Sequence, residues 1–168
     1  LAMGIWYEAL MRWVGEARQV TAMSKVFVRQ RRDPQTGHNS AIRVPEHVDV
    51  IADMVCGAQA HMQFSSVTGL AKDTFQAWIH GSEGTLCLDV ESDKLYGGDR
   101  KKPELREITI PARKTGRWRV EEEFVNAVRG IEKVKLTTFA DGVKYMEFTE
   151  AVARSAESGR AVTLPLIA

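Results

Sequence analysis

The stretch that decides the fold is His47-Val48-Asp49-Val50-Ile51-Ala52-Asp53-Met54-Val55-Cys56-Gly57-Ala58-Gln59-Ala60-His61-Met62-Gln63-Phe64-Ser65-Ser66-Val67. Side chains in a strand point alternately to opposite faces, so two alternating runs, His47 to Cys56 and Ala58 to Val67, each read as a half-buried strand. The Cys56-Gly57 junction between them suits a tight hairpin, because glycine takes positive φ without penalty. The reading is an antiparallel pair in which one face meets a core. The other face, carrying either the Val48, Val50, Met54 set or the Asp49, Ile51, Val55 set, is left uncovered.

The pattern extends in both directions. Upstream, Val20, Ala22, Ser24, Val26 and Val28 share one face of a strand drawn from residues 16–30, with Thr21, Met23 and Phe27 on the other. Before it, Ile5, Trp6, Ala9, Leu10, Trp13 and Val14 recur at helical spacing up to Gly15. Residues 31–46, with Arg31, Arg32, Asp33, Pro34, Gly37, Asn39 and Pro45, lack periodicity and read as a long loop of the kind that often carries function. Downstream, runs at 74–80 and 85–90 meet across Gly81-Ser82-Glu83-Gly84, and short strands at 94–96 and 104–110 continue the meander to about six or seven strands.

After Pro111 the period becomes helical. Glu121, Glu122 and Glu123 put negative charge on a first turn, and Phe124, Val128 and Ile131 recur on one face. Thr138 and Asp141 resemble a capping box for a second helix, with Val143, Met146, Phe148 and Val152 apolar and Gly159 closing it. Val162 to Leu164 ends the chain's pattern as a short strand. Helices gathered at both ends of an antiparallel meander imply an α+β fold: an open, predominantly antiparallel sheet with helices packed on one face.

Composition sets the remaining bounds. The 168 residues, 44% hydrophobic and 27% charged, suit one globular domain over 1–168. The 23 basic and 22 acidic side chains leave a net charge of +1, so neither nucleic acid nor an anionic membrane is favoured as a partner. No apolar run approaches the roughly 20 residues of a membrane span. The opening residue is Leu1 and no targeting pattern follows it, so the chain reads as cut from a longer one. Cys56 and Cys87 lack metal-site spacing and read as reduced core thiols of a cytoplasmic protein, with a cross-strand disulfide as the alternative.

The chemistry-bearing motifs are few. There is no strand, Gly-x-Gly-x-x-Gly turn and helix for a dinucleotide, and Gly81 to Gly84 joins two strands instead. No nucleophile elbow occurs. The four histidines, His38, His47, His61 and His80, are scattered. His47 and Asp49, two apart on a strand, share a face, but two ligands do not complete a metal site. Lys72-Asp73 and Arg31-Arg32 read as solvated charges, and Trp6, Trp13, Trp78 and Trp118 as core or interface aromatics. No metal site is expected.

A resemblance carries the reading further. Gly4-Ile5-Trp6-Tyr7 with Leu10-Met11-Arg12-Trp13-Val14-Gly15, then Val44-Pro45-Glu46-His47-Val48-Asp49, Gln63-Phe64-Ser65-Ser66, Gly81-Ser82-Glu83-Gly84-Thr85-Leu86, Glu123-Phe124-Val125-Asn126-Ala127 and Ser158-Gly159-Arg160-Ala161-Val162 together resemble, in that order, the C-terminal domain of the Gfo/Idh/MocA oxidoreductases. The resemblance implies a two-domain NAD(P)-dependent dehydrogenase acting on a sugar, polyol or related hydroxyl compound. NAD or NADP, and a catalytic lysine, then belong to an N-terminal Rossmann domain absent from this chain, and residues 1–168 serve substrate binding and oligomerisation. Family members place an Asp, and four residues later a proton-transferring His, at the start of this domain. Here Ala2 and Trp6 stand at those positions. Some relatives use Tyr for the His, and the neighbouring Tyr7 is a catalytic candidate although it points about 100° away on a helix. Trp6 and Tyr7 are the expected substrate contacts. The expected partners are a small-molecule substrate and a second copy paired through the open sheet face. The chain alone is expected neither to bind nor to reduce NAD(P). The alternative reading is a non-catalytic module that keeps the fold for sheet-mediated interaction.

Overall fold

The computed structural model describes residues 3–69, 71 and 75–166. Lys72-Asp73 and the first residue of the expected strand 74–80 lie outside these. The elements, in chain order, are α1 (Met3–Val14), β1 (Ala17–Lys25), β2 (Gln30–Arg32), β3 (Asn39–Ala41), β4 (His47–Met54), β5 (Gln59–Ser65), β6 (Gln76–His80), β7 (Gly84–Asp89), β8 (Lys94–Asp99), β9 (Arg106–Glu107), α2 (Val120–Val128), α3 (Phe139–Ser158) and β10 (Val162–Thr163), with a 3-10 turn at Ala112–Lys114. The chain divides into two compact units, Leu1–Gly69 with Glu123–Ala168, and Leu70–Glu122. The fold is α+β and antiparallel throughout its sheets, as the alternation implied.

In the first unit the sheet order is β10-β1-β4-β5. The β4–β5 hairpin has Val50 opposite Met62 and Asp49 opposite Gln63, and Gly57 in its turn has φ 88°. Alternation resolves cleanly on β4: Val48, Val50, Ala52 and Met54 are buried, while His47, Asp49, Ile51 and Asp53 face outward. The core set packs with Val20 of β1, Phe148, Ala151 and Val152 of α3, and Met3 and Tyr7 of α1. Each fully buried apolar side chain of this size contributes about 1.5–3 kcal/mol, so this inner face fixes the register.

α3 is locked to the sheet by more than apolar contact. β10 covers β1 only at Gln19 and Val20, so the Ala22 N–H lies beyond the ladder. The buried Ser155 hydroxyl accepts from it at 2.9 Å and donates to the Arg160 carbonyl at 2.7 Å. One hydroxyl thus serves two main-chain groups that the short edge strand leaves unpaired. At the other end of α3 the Thr138/Asp141 capping box is present, with the Asp141 N–H donating to Thr138 Oγ1 and the Thr138 N–H to Asp141 Oδ2.

In the second unit the order is β6-β7-β8-β9. The Gly81–Gly84 segment is the expected strand-to-strand turn, with the Gly81 N–H donating to the Gly84 carbonyl. Gly84 is required by close approach: a Cβ there would collide with the Gly98 carbonyl oxygen on β8.

Several expectations are corrected. Among the described residues the strands form two four-stranded sheets and a two-stranded one rather than a single sheet of six or seven, and of the expected strand 104–110 Arg106 and Glu107 pair with β8, with the Ile108 N–H donating to the Leu95 carbonyl. Residues 31–46 are not a structureless loop. Arg31 and Arg32 lie on β2, which pairs with β3 in a hairpin turned by the Asp33 carboxylate, acceptor to the Gln35 and Thr36 N–H groups. Every residue of β2 and β3 is exposed, so no apolar alternation marked them. Cys56 sits in the hairpin turn and is exposed, whereas Cys87 on β7 is buried, and neither forms a disulfide. None of Trp6, Trp13, Trp78 and Trp118 is a core residue. The helical stripes are turned outward only in part. On α1 it is Met3, Tyr7 and Glu8 that are buried, while Ile5, Trp6 and Trp13 are exposed. On α2, Phe124 and Val128 are exposed, as is Ile131 beyond its end; on α3, Val143 and Met146 are exposed, whereas Phe148 and Val152 are buried as expected.

Candidate functional site

The first turns of α1 carry both residues expected at the substrate. α1 lies close on α3 at Gly4, where a Cβ would stand 3.2 Å from Thr149 Oγ1 and from the Tyr145 ring. That approach sends Tyr7 inward and Trp6 outward, as their 100° separation requires. The Tyr7 ring stacks on Phe148 with centroids 3.6 Å apart and planes 6° from parallel. Its hydroxyl accepts the Ala17 N–H at 2.8 Å, where β1 begins. Burial raises the Tyr7 pKa above its ordinary value of 10.0, outweighing the Ala17 hydrogen bond, so the phenol stays protonated at neutral pH. Trp6, by contrast, is 39% exposed. Ala2 lies outside the described residues.

One turn further, Glu8 is buried with its carboxylate accepting from Arg12 Nε at 2.7 Å and from the Thr137 hydroxyl at 2.9 Å, and Arg12 also donates to Thr137. This network borders an open cleft of about 440 Å³ lined by Arg12, Lys135 and Lys144 against Glu8, Glu16 and Asp141. Lys144 pairs with Glu16 at 2.6 Å, and Asp141 is committed to its cap. The signs balance, so the cleft has no excess charge for an anion or a cation. Sequence reading missed it; only the i,i+4 spacing of Glu8 and Arg12 hinted at the pair.

The outward sheet face is the second candidate surface. Asp49 stands at its centre: Gln63 Nε2 donates to Oδ1 at 3.0 Å, His47 Nε2 lies 2.9 Å from Oδ2, and His61 Nε2 lies 3.9 Å from Oδ1. The Gln63 amide foremost, and then His47, hold its carboxyl below the usual carboxylate range. Thr21, Met23 and Lys25 of β1 flank it, and Arg18 pairs with Asp53 at 2.5 Å. Of the two sets considered, the outward one is Asp49, Ile51 and Val55. Its apolar members are few, Met23 at 74%, Val55 at 67% and Ile51 at 51% exposure, so this face is more polar than alternation alone implied. No group of three or more His, Cys, Asp or Glu among the described residues is placed to hold a metal ion, and no described helix is long and apolar enough to cross a membrane.

No family model matches the chain, and no curated protein matches it in sequence. Solved structures do. The chain aligns with levoglucosan dehydrogenase in complex with NADH and L-sorbose at 20% identity and TM-score 0.79, covering 99% of this chain and 49% of that one. An NAD-binding oxidoreductase from Klebsiella pneumoniae aligns at 18% identity and TM-score 0.79, over 98% of this chain and 50% of that one. An oxidoreductase domain protein from Kribbella flavida gives 18% and 0.77, over 98% and 51%. The chain spans about half the length of these neighbours. The likeness is one of fold: nearly the whole of this chain aligns with about half of each of these oxidoreductase structures.

Proposed function

We propose that residues 1–168 are the substrate-binding and oligomerisation domain of an NAD(P)-dependent oxidoreductase acting on a sugar, polyol or related hydroxyl compound. The observation that carries the reading is the near-complete alignment of this chain with half of dehydrogenases solved with NADH. The outward-turned helical stripes support it. Ile5, Trp6 and Trp13 on α1, with Phe124 and Val128 on α2, expose more large apolar surface than a helix gains from facing water. A nucleotide-binding domain outside this chain, supplying NAD or NADP, is the proposed cover for it.

Within this reading Trp6 meets the substrate as a flat apolar platform, and Tyr7 serves from beneath. Its hydroxyl is engaged with Ala17 and its ring with Phe148, so it positions the first turn of α1. The proton-transfer role that a His at position 6 would fill then falls to a group outside α1. The outward sheet face pairs with a second copy, a partly polar interface of the kind oligomers commonly use.

Two measurements test the proposal. In the natural protein containing this chain, Trp6→Ala raises KM for the hydroxyl substrate at least about tenfold, the value of roughly 1.4 kcal/mol of lost contact, while the Kd for NAD(H) is unchanged. An unchanged KM removes Trp6 from the substrate site. Met23→Asp with Ile51→Asp converts a low-micromolar dimer to monomer in sedimentation velocity; a dimer indifferent to both charges places the interface elsewhere.

A further inference from the structure

β1 and β4 stay paired up to Lys25 opposite His47, a register that a turn of about two to five residues would close. Residues 26–46 stand there instead, and none of them belongs to the core of the first unit. They are nonetheless well built. β2 and β3 pair from Gln30 opposite Ala41 to Arg32 opposite Asn39, and the Ile42 N–H donates to the Arg29 carbonyl at 2.9 Å. The tip is closed by the Asp33 N–H on the His38 carbonyl and by the Asp33 carboxylate on the Gln35 N–H, and the root by Glu46 on the Val28 N–H. A two-stranded ribbon is marginal by itself, so these staples keep its shape while every residue of both strands stays exposed.

Charge is concentrated on this hairpin. Residues 25–46 hold Lys25, Arg29, Arg31, Arg32 and Arg43 against Asp33 and Glu46, a surplus of three, so with a chain total of +1 the remaining residues are net −2. Both carboxylates are engaged inside the hairpin, Asp33 in the tip turn and the buried Glu46 on the Val28 N–H. Among the described residues none of the five cations is in an ion pair, whereas Arg12, Arg18, Arg106, Arg117, Arg119 and Arg154 each are. The net charge of the whole chain hides this separation, because it averages a cationic hairpin with an acidic remainder.

The arginines are also divided between two faces. Residues opposite one another in the register share a side, so Arg29 and Arg31 lie on one side of the ribbon with Ser40, and Arg32 on the other with Asn39 and Ala41. Arg43, two residues past Ala41, falls on the side of Arg32 by the same alternation. A flat anionic surface, protein or lipid, meets one face of a ribbon and leaves the other pair of arginines in water. A groove with anions along both walls meets both pairs. The major groove of duplex DNA, about 12 Å wide between two phosphate rows, admits a two-stranded ribbon. Arginine suits its walls, because the planar guanidinium fork meets phosphate oxygens two at a time.

We propose that the β2–β3 hairpin is an arm for duplex DNA, entering the major groove with Arg29 and Arg31 toward one phosphate row and Arg32 and Arg43 toward the other. Phosphate contacts carry no sequence information, so the binding is non-specific and falls steeply with salt. It is independent of the dehydrogenase reading: failure of NAD(P) turnover leaves it untouched, and its own failure leaves that reading untouched.

The experiment is fluorescence anisotropy of a labelled duplex of about 20 base pairs, titrated with the natural polypeptide that contains residues 1–168 at about 50 and about 200 mM NaCl. The variants Arg29→Gln/Arg31→Gln and Arg32→Gln/Arg43→Gln are run beside the wild type, with circular dichroism confirming their fold. The expected wild-type Kd is below about 10 μM at the lower salt, and four phosphate contacts, a slope of about −3.6, weaken it about 150-fold at the higher. Each variant keeps two contacts, so the same step in salt weakens either one only about twelvefold. Unlabelled poly-glutamate, at equal charge, competes at least about tenfold less well than unlabelled duplex. A wild-type Kd above about 10 μM at the lower salt overturns the proposal. So does a slope altered by one pair alone, which marks a one-sided contact, or by neither pair. Closer competition by poly-glutamate makes an acidic protein the fitting partner and overturns it as well.

Discussion

Tyr7→Phe separates a structural hydroxyl from a catalytic one. The phenol oxygen is the acceptor for the Ala17 N–H at 2.8 Å, and Ala17 is only 4% exposed. Removing that oxygen leaves a buried main-chain donor without a partner, a loss of about 1–3 kcal/mol. The ring stays against Phe148, so no cavity opens. For a chain of this size each kcal/mol lowers Tm by about 2–4 °C, and a midpoint loss of about 2 kcal/mol gives a fall of about 4–8 °C. Tyr7→Ala adds the missing ring and costs about 3–5 kcal/mol. Urea unfolding followed by far-UV circular dichroism reads both, with the slope unchanged for Tyr7→Phe because the surface exposed on unfolding is the same. A Tyr7→Phe variant as stable as the wild type would refute the tie to Ala17. If the polypeptide containing this chain has the proposed dehydrogenase activity, the same variant retains its chemical step, and a fall in kcat of a hundredfold or more at unchanged stability would return Tyr7 to proton transfer.

Three further outcomes follow from the same geometry. Ser155→Ala strands both the Ala22 N–H and the Arg160 carbonyl and costs about 1–3 kcal/mol in urea melts, with hydrogen exchange at Ala22 accelerating first. The buried Glu46 accepts the Val28 N–H at 2.6 Å, and this bond holds its carboxyl below the ordinary value of 4.5. Because the folded-state value is the lower one, the staple at the base of the β2–β3 hairpin is complete above about pH 4.5 and lost as pH falls through the folded value. Val28 amide protection measured by NMR should drop across that window in the wild type and stay flat in Glu46→Gln. Gly84→Ala forces a Cβ against the Gly98 carbonyl and destabilises the second unit by about 1–3 kcal/mol, read from Trp78 and Trp118 fluorescence; an unperturbed melt contradicts the close approach.

Where two signals agreed, the fold was legible from residues alone. The β4–β5 hairpin was visible because alternation and a glycine turn coincide, and α3 because a Thr/Asp box and Gly159 bracket a helical period. Hidden from that reading were features that depend on what covers a surface. β2 and β3 are polar on both faces, so their pairing leaves no periodic trace. On α1 the conspicuous apolar residues Ile5, Trp6 and Trp13 face out, because the core side is held by Met3 and by Tyr7 stacked on Phe148. Amphipathic spacing locates a stripe but does not say whether it faces this chain's core or another surface. The contrast between Trp6 and Tyr7 was foreshadowed by the 100° step between neighbours, whereas the Asp49 cluster needed the β4–β5 register to bring His61 and Gln63 beside it.

The most direct test of the proposed function is NAD+ and NADP+ reduction, followed at 340 nm, by the natural polypeptide that contains residues 1–168, over a panel of sugars and polyols, with the 168-residue chain assayed beside it. The account predicts turnover of at least one hydroxyl substrate by the natural polypeptide. The chain alone should give none, and calorimetry should find no NADH binding by it in the micromolar range, since it has no glycine-rich turn at a helix N-terminus. Micromolar NADH affinity in the chain alone, or a natural polypeptide that reduces neither cofactor with any member of the panel, would contradict it.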